Sequence, residues 1–386
     1  NADFANDSWQ ASMMSYFDQV ENTSITATKA YLSSPMSVDW ISLDDLYSGY
    51  GYGINNAFAG DTIYGFNTNI TDSTSEIFAK FKDYAGNTAF TLVDGSGVET
   101  LDVSGFSEHQ VIDLRPTDKA ASNLYASNIG SFIGNLTIAA GTVIENAVGG
   151  TGNDSIRGNA ANNLLDGGSG DDTLLGGDGD DRYVVDSTSD VVTESSGEGN
   201  DLIQTYVSYT LPNHTENIQI LGGSARTATG NSLNNILTGN AASSTLAGEG
   251  GNDTYIISNA NNVITESSGE GTDLIQTSVS YTLPNHTENI TLTGSGNINA
   301  TGNTLNNILA GNSGNNFIDG AWVMTLSCSL VHWLITEFAR WLEIWSLSIC
   351  GLEVLMARTL SMVLNLLVSM AIFVIYRLVS STQRHL

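Results

Sequence analysis

No cysteine occurs before Cys328, and the second, Cys350, comes later still. No disulfide can staple the long region ahead of them, so a loop-rich fold there would need another cross-link, such as a metal ion. Basic residues are scarce as well. The chain has 12 Lys+Arg against 41 Asp+Glu, a formal net charge of −29 over 386 residues. Such a chain does not suit nucleic acid, whose phosphates demand many Lys and Arg. It also repels itself when compact unless cations neutralise it. Residues 1–320 hold 38 of the acids and 8 of the bases, a net of −30. The opening NADFANDSWQ has neither a basic region nor an apolar run, so it does not read as a secretory leader. No G-x-S-x-G nucleophile elbow occurs, which excludes that class of serine hydrolase. The histidines are His109, His214, His286, His332 and His385, and none lies in an H-E-x-x-H spacing. A zinc site built on two His one helical turn apart is thus missing.

What is present is a tandem repeat. From Gly149 the chain divides into successive nonapeptides, GGTGNDSIR, GNAANNLLD, GGSGDDTLL and GGDGDDRYV. Each unit approaches G-G-x-G-x-D-x-U-x, with U a large apolar residue: Ile156, Leu165, Leu174 and Tyr183. The glycines Gly150, Gly152, Gly168, Gly170, Gly177 and Gly179 permit positive φ and leave carbonyls exposed. Asp154, Asp172 and Asp181 add carboxylates, and together these make the hard oxygen set that Ca²⁺ prefers. The end of each unit predicts a short strand with its apolar residue inward. A flexible linker would have no reason to keep that phase. With two units per coil turn, every second loop falls on the same edge. Asp154 and Asp172 are then expected to flank one ion position, with Asp181 facing Asn162 and Asn163 on the other edge.

This stretch resembles the RTX calcium-binding β-roll of secreted bacterial proteins. Upstream, SWQASMMSYF (8–17), PMSVDWISLDDLYSGYGY (35–52) and GDTIYGFNTN (60–69) resemble the end of a serralysin-type metzincin catalytic domain. The resemblance implies that Met14 is the methionine of the turn beneath the zinc. Tyr16 would be the tyrosine beside it, and 36–47 the last catalytic helix. The family's zinc motif precedes that turn, so Zn²⁺ would belong only to a full-length parent, and this chain is expected to lack proteolytic activity. Export through a type I channel, to the extracellular space, is what the resemblance implies.

Between these regions, DGSGVETLD mimics a calcium turn with Asp94, Glu99 and Asp102 as its carboxylates. Leu136 with Ile138, and Val143 with Ile144, predict strands leading into the roll. After the roll the chain repeats at an offset of 72: TESSGEGNDLIQT at Thr193 and TESSGEGTDLIQT at Thr265, LPNHTENI at Leu211 and Leu283, GNSLNNIL at Gly230 and GNTLNNIL at Gly302. Asp201, Asp253 and Asp273 keep the ligand position, and the units predict a continued solenoid with fewer ions. Pro212 and Pro284 read as turn residues. His214 and His286 read as repeated turn residues, with a metal role as the other possibility, and His109 as a surface residue.

The character of the chain changes after Gly320. Residues 321–386 contain no Asp, one Gly and four of the six Trp. Residues 359–376 carry no charge, which makes them a membrane-span candidate of borderline length. The preferred reading is an out-of-frame continuation of the same repeat: codons for G-L-G-D-D-T-L, read from their second base, can give AWVMTL, residues 321–326. On that reading, 359–376 does not anchor the chain in a membrane.

The expected architecture is mainly β: a parallel β-roll or β-solenoid of RTX nonapeptides, preceded by the C-terminal remnant of an α+β metzincin domain. The expected segments are 1–70 (remnant), 71–148 (β-rich bridge), 149–185 (roll), 186–320 (72-residue solenoid repeats) and 321–386 (tail). The expected function is the calcium-binding region of a secreted serralysin-like metalloprotease, with several Ca²⁺ and no nucleic-acid partner. The alternative is a non-enzymatic RTX adhesin or surface module.

Overall fold

The computed structural model describes residues 31–32, 58, 60–71, 75–85, 88–118 and 125–321. Met14, Tyr16, the segment 36–47 and the run 359–376 lie outside the described residues. Among the described residues nearly all regular structure is strand. Two one-turn helices, Glu76–Ala79 and Phe81–Tyr84, are the helices among the described residues. No helix there is long and apolar enough to cross a membrane.

The dominant element is a twelve-stranded, wholly parallel sheet. It begins at Ile63–Gly65, passes through Thr100–Asp102 and Asn146–Val148, and continues through Leu164–Asp166, Arg182–Val185 and Leu202–Thr205 to Ile308–Ala310. Across the coil run shorter parallel ladders, Val111–Asp113 with Ser155–Arg157, Thr173–Leu175 and Val191–Thr193, then Tyr209–Thr210 with Thr227–Thr229, Thr245–Ala247 and Val263–Thr265. Short parallel strands cannot be joined by hairpins. Here each returns through a turn, a strand of the facing ladder and a second turn, which is what a pair of nonapeptides per coil supplies.

The inward apolar residue of each unit does what its position predicts. Ile156, Leu165, Leu174 and Tyr183 are buried. In register, Leu165 stacks between Ala147 and Tyr183, and Tyr183 between Leu165 and Ile203. Facing them, Leu174 sits between Ile156 and Val192. Each coil therefore contributes few apolar side chains, and each such side chain is worth about 1.5–3 kcal/mol on full burial. That is a thin core for a chain this acidic.

The solenoid continues through the 72-residue unit, but its turns are unequal. Register pairs Arg182 with Leu202, Leu202 with Asn217, Asn217 with Ile236 and Ile236 with Thr254. The first step is the longest and the second the shortest, yet the four steps together span one full repeat, from Arg182 to Thr254. They recur from Thr254 to Leu274, Asn289 and Ile308. The unit is four coils of adjusted length rather than eight uniform nonapeptides. Upstream, Leu136–Ile138 forms a strand beside Thr88–Leu92. Val143 is exposed and Ile144 buried, both in the connection before Asn146–Val148 rather than in a strand of their own.

Candidate metal centre

The stacked turns depend on bare backbone. Gly168, Gly170, Gly177 and Gly179 have φ of +82°, +145°, +100° and +125°. A Cβ on Gly177 would lie 2.8 Å from the Asn159 carbonyl oxygen, and one on Gly179 2.6 Å from that of Ala161. Gly168 and Gly170 press on the carbonyls of Gly150 and Gly152 in the same way. Gly150 and Gly152 serve through close approach instead, to the carbonyls of Phe106 and Glu108.

The aspartates form ladders along both edges. On one edge the Gln110 N–H donates to Asp154 Oδ1 at 2.7 Å, the Asp154 N–H to Asp172 Oδ1 at 2.7 Å, and the Asp172 N–H to Asp190 Oδ1 at 2.9 Å. Asp154 and Asp172 are thus stacked neighbours, as two nonapeptides per coil predict. On the other edge the Asn163 N–H donates to Asp181 Oδ1 (2.6 Å), the Asp181 N–H to Asp201 Oδ1 (2.9 Å) and the Asp201 N–H to Glu216 Oε2 (2.9 Å). One repeat further on, Asn235, Asp253 and Asp273 carry that pattern onto Asp253, Asp273 and Glu288. Burial, and then neighbouring carboxylates, push Asp172, Asp181 and Asp253 up to about 7 and Asp201 up to about 6. Asp154 and Asp273 are raised for the same first reason.

On this second edge two glutamates join the aspartates. Ligand oxygens of Asp181, Glu194 and Asp201 lie within 4.8 Å of one another, and so do those of Asp253, Glu266 and Asp273. Tyr183 donates its hydroxyl to Glu194 Oε1, and Tyr255 to Glu266 Oε1. Burial first, and then the neighbouring aspartates, push Glu194 up to about 9. Glu266 is pushed up to about 8, chiefly by burial. Sequence reasoning missed both glutamates because they fall outside the nonapeptide pattern. The signal was there: TESSGEG begins at Thr193 and again at Thr265, each copy preceded by a Tyr at the same distance from its Glu, Tyr183 before Glu194 and Tyr255 before Glu266.

Other turns use asparagine instead. The Asn159 N–H donates to Asn163 Oδ1 at 2.8 Å, and Asn163 Nδ2 donates to the Glu145 carbonyl at 2.8 Å. Asn231 and Asn235, Asn303 and Asn307, and Asn312 and Asn316 close in the same manner. In each case the amide oxygen accepts within its own turn and the amide nitrogen donates to the previous coil. Asparagine thereby satisfies both its ends without help.

Upstream of the roll, Asp94 and Glu99 face one another, and Tyr64 donates to Asp94 Oδ2 at 2.9 Å. Burial pushes Glu99 up to about 8, with Glu145 and Asp94 adding to it. Asp102 is not with them. It ends the strand Thr100–Asp102, where Asn67 Nδ2 and the Ser104 N–H donate to it. His214 and His286 are exposed turn residues with φ of +67° and +64°. His109 is exposed, with its Nδ1 against the Asn153 carbonyl.

A parallel β-solenoid whose stacked glycine turns bury unneutralised carboxylates defines a calcium-binding β-roll of the RTX kind. A family model described as "Peptidase M10 serralysin C terminal" matches residues 54–290, and one described as "RTX calcium-binding nonapeptide repeat (4 copies)" matches 301–322. The chain belongs to the serralysin C-terminal family. Among its relatives, Metallopeptidase AprA of Pseudomonas marginalis is 38% identical over 159 residues, 40% of this chain and 30% of that protein. Serralysin B of Dickeya chrysanthemi is 37% identical over 155 residues, 40% of this chain and 29% of that protein. Serralysin of Photorhabdus luminescens is 39% identical over 155 residues, 40% of this chain and 28% of that protein. The match therefore spans under a third of each relative's length.

Proposed function

We propose that this chain is the calcium-folded module of a secreted serralysin-type metalloprotease. The observation that carries the reading is the set of buried carboxylate oxygens with no partner: Asp181 Oδ2, Asp201 Oδ2, Asp253 Oδ2 and Asp273 Oδ2 among them. The ion pair of Arg115 with Asp113 involves none of these acids. A buried charge without a counter-charge is costly, so a cation must complete the fold or the acids must take up protons. Oxygen-only ligands on glycine-permitted turns fit Ca²⁺. The ligands would be Asp154 and Asp172 on one edge, Asp181, Asp201, Asp253 and Asp273 on the other, and Asp94 with Glu99 at the start. Calcium would supply the positive charge there and the carboxylates its oxygen ligands; the glycines supply the close stacking that brings the oxygens together.

The mechanism is coupled folding. Where free calcium is scarce, self-repulsion and ordering entropy keep the chain open and fit for a type I export apparatus. Outside the cell, binding to the folded state alone shifts the equilibrium by mass action. The folded roll then nucleates the domain attached to it. Zinc chemistry belongs to a parent carrying the H-E-x-x-H motif, and this chain is expected to show no proteolysis. Far-UV circular dichroism tests the reading: the β signal is expected to be full in calcium and to fall in EDTA at neutral pH. A full β signal in EDTA at neutral pH would overturn it.

A further inference from the structure

The two clusters on the second edge differ from an ordinary turn of this solenoid. After Thr173–Leu175 the strand is followed by Gly176, and the turn 176–181 leads to the next strand. After Val191–Thr193 the same place is taken by Glu194, and a longer turn, 194–201, intervenes. The second copy repeats the contrast, with Gly248 after Thr245–Ala247 and Glu266 after Val263–Thr265. Gly176 and Gly248 leave room for the clusters. A Cβ on Gly176 would collide with Asp181 Oδ2 and the Tyr183 hydroxyl, and one on Gly248 with Asp253 Oδ2 and the Tyr255 hydroxyl. The longer turn is closed separately, by Glu198 accepting from the Ser195 N–H at 2.7 Å and Glu270 from the Ser267 N–H at 2.6 Å.

Within each cluster the oxygens divide evenly into held and free. Asp181 Oδ1 is held by the Asn163 N–H, Asp201 Oδ1 by the Asp181 N–H and Glu194 Oε1 by the Tyr183 hydroxyl. The second oxygen of each, Asp181 Oδ2, Glu194 Oε2 and Asp201 Oδ2, is buried with no hydrogen-bond partner. In the second copy Asp253, Glu266 and Asp273 divide in the same way. All six side chains are at least nine-tenths buried. Two oxygens each about 2.4 Å from one calcium ion can be at most about 4.8 Å apart. Each cluster meets that span.

We infer that Asp181, Glu194 and Asp201, and separately Asp253, Glu266 and Asp273, form two equivalent calcium sites built by the 72-residue unit, with the glutamate that opens the longer turn as an essential side-chain ligand. This rests on the calcium reading above and adds to it a count and a residue. The nonapeptide needs no such glutamate. The oxygen-only donor set suits Ca²⁺ rather than Zn²⁺, which favours nitrogen and sulfur. Tyr183 and Tyr255 are positioning residues: each holds one glutamate oxygen and leaves the other without a hydrogen-bond partner.

The test is calcium stoichiometry on the full chain, by equilibrium dialysis after chelator treatment. E194Q/E266Q is expected to bind two fewer ions per chain than the parent, and E194Q or E266Q alone one fewer. An unchanged count in the folded variants overturns the inference and leaves the three carboxylates sharing protons. Uptake of no calcium by the parent chain would instead sink the calcium reading itself, so the two failures are distinguishable. A second measurement covers variants that do not fold. With terbium in place of calcium, tyrosine-sensitised emission is expected to fall in Y183F/Y255F, whose rings still fill the core. Emission equal to that of the parent overturns the inference.

Discussion

Turns closed by aspartate and turns closed by asparagine occupy one solenoid and solve one problem in two ways. Asn303 and Asn307 accept an N–H within their turn and donate to the carbonyls of Pro284 and Glu288 on the previous coil. Asp181 and Asp253 instead accept through Oδ1 an N–H from the previous coil, that of Asn163 and of Asn235, while the second oxygen has nothing to donate and stands buried alone. The amide carries its own donor; the carboxylate waits for a cation. The backbone differs along with the side chain: Gly177, Gly179 and Gly251 of the aspartate turns have positive φ, whereas no residue of 159–163, 231–235, 303–307 or 312–316 does. Residues 301–322, matched by the calcium-binding repeat, are the stretch where the asparagine solution prevails.

The largest expected effect is common to both kinds of turn, and serves as the control. Leu174→Ala, beside an aspartate turn, and Leu237→Ala, beside an asparagine turn, both remove a fully buried side chain. Each is expected to cost about 2–5 kcal/mol in calcium-loaded protein, read from chemical denaturation. A large inequality would mean that the turns, not the shared core, carry the stability.

Asn235→Asp converts one solution into the other. It removes the Nδ2 donor to the Glu216 carbonyl and places a carboxylate beside the Asp253 ladder. In EDTA it is expected to destabilise by about 1–3 kcal/mol, the cost of an unsatisfied buried group. Added calcium should recover part of that loss. An equal loss with and without calcium would break the comparison.

The pH response should separate the two kinds as well. The buried carboxyls have folded-state pKa values above the ordinary range, so the metal-free fold holds protons more tightly than the unfolded chain. Their contribution is complete below the ordinary carboxylate range and drains away as pH rises through about 6 to 9, the span set by Asp201, Asp172, Asp181, Asp253, Glu266 and Glu194. In EDTA the protein is expected to melt higher at about pH 5 than at about pH 9, and calcium should flatten or reverse that slope. A metal-free melting point that rises with pH would contradict it.

The smallest effect concerns His214, an exposed residue with positive φ. His214→Gly relieves the left-handed strain and is expected to shift stability by no more than about 1 kcal/mol, with calcium uptake unchanged. Lost ions in this variant would make the repeated histidines ligand candidates again.

Much of this was legible in the chain itself. Period nine with an inward Ile156, Leu165, Leu174 and Tyr183 predicts the coil, because one apolar residue per short strand has only the interior to face. The ladder neighbours Asp154 and Asp172 follow from two nonapeptides per coil. The unequal steps from Arg182 to Leu202, Asn217, Ile236 and Thr254 were hidden, since an exact repeat looks like eight equal units while the loops trade residues with each other. Glu194 and Glu266 were hidden because they replace a glycine and act across the coil, a relation that turn spacing does not encode. Asp102 was grouped with Asp94 by spacing, yet the strand between Glu99 and Asp102 carries it to the far end. The long sheet reaches back to Ile63–Gly65 through strands outside the tandem nonapeptides, held by apolar residues such as Leu101 and Ala147.

Hydrogen exchange followed by peptide, with and without calcium at neutral pH, bears most directly on the central claim. Peptides from 149–205 and 248–277 are expected to lose protection when calcium is removed, before and more deeply than peptides from 302–319. Equal protection of the aspartate turns in calcium and in EDTA would contradict the account.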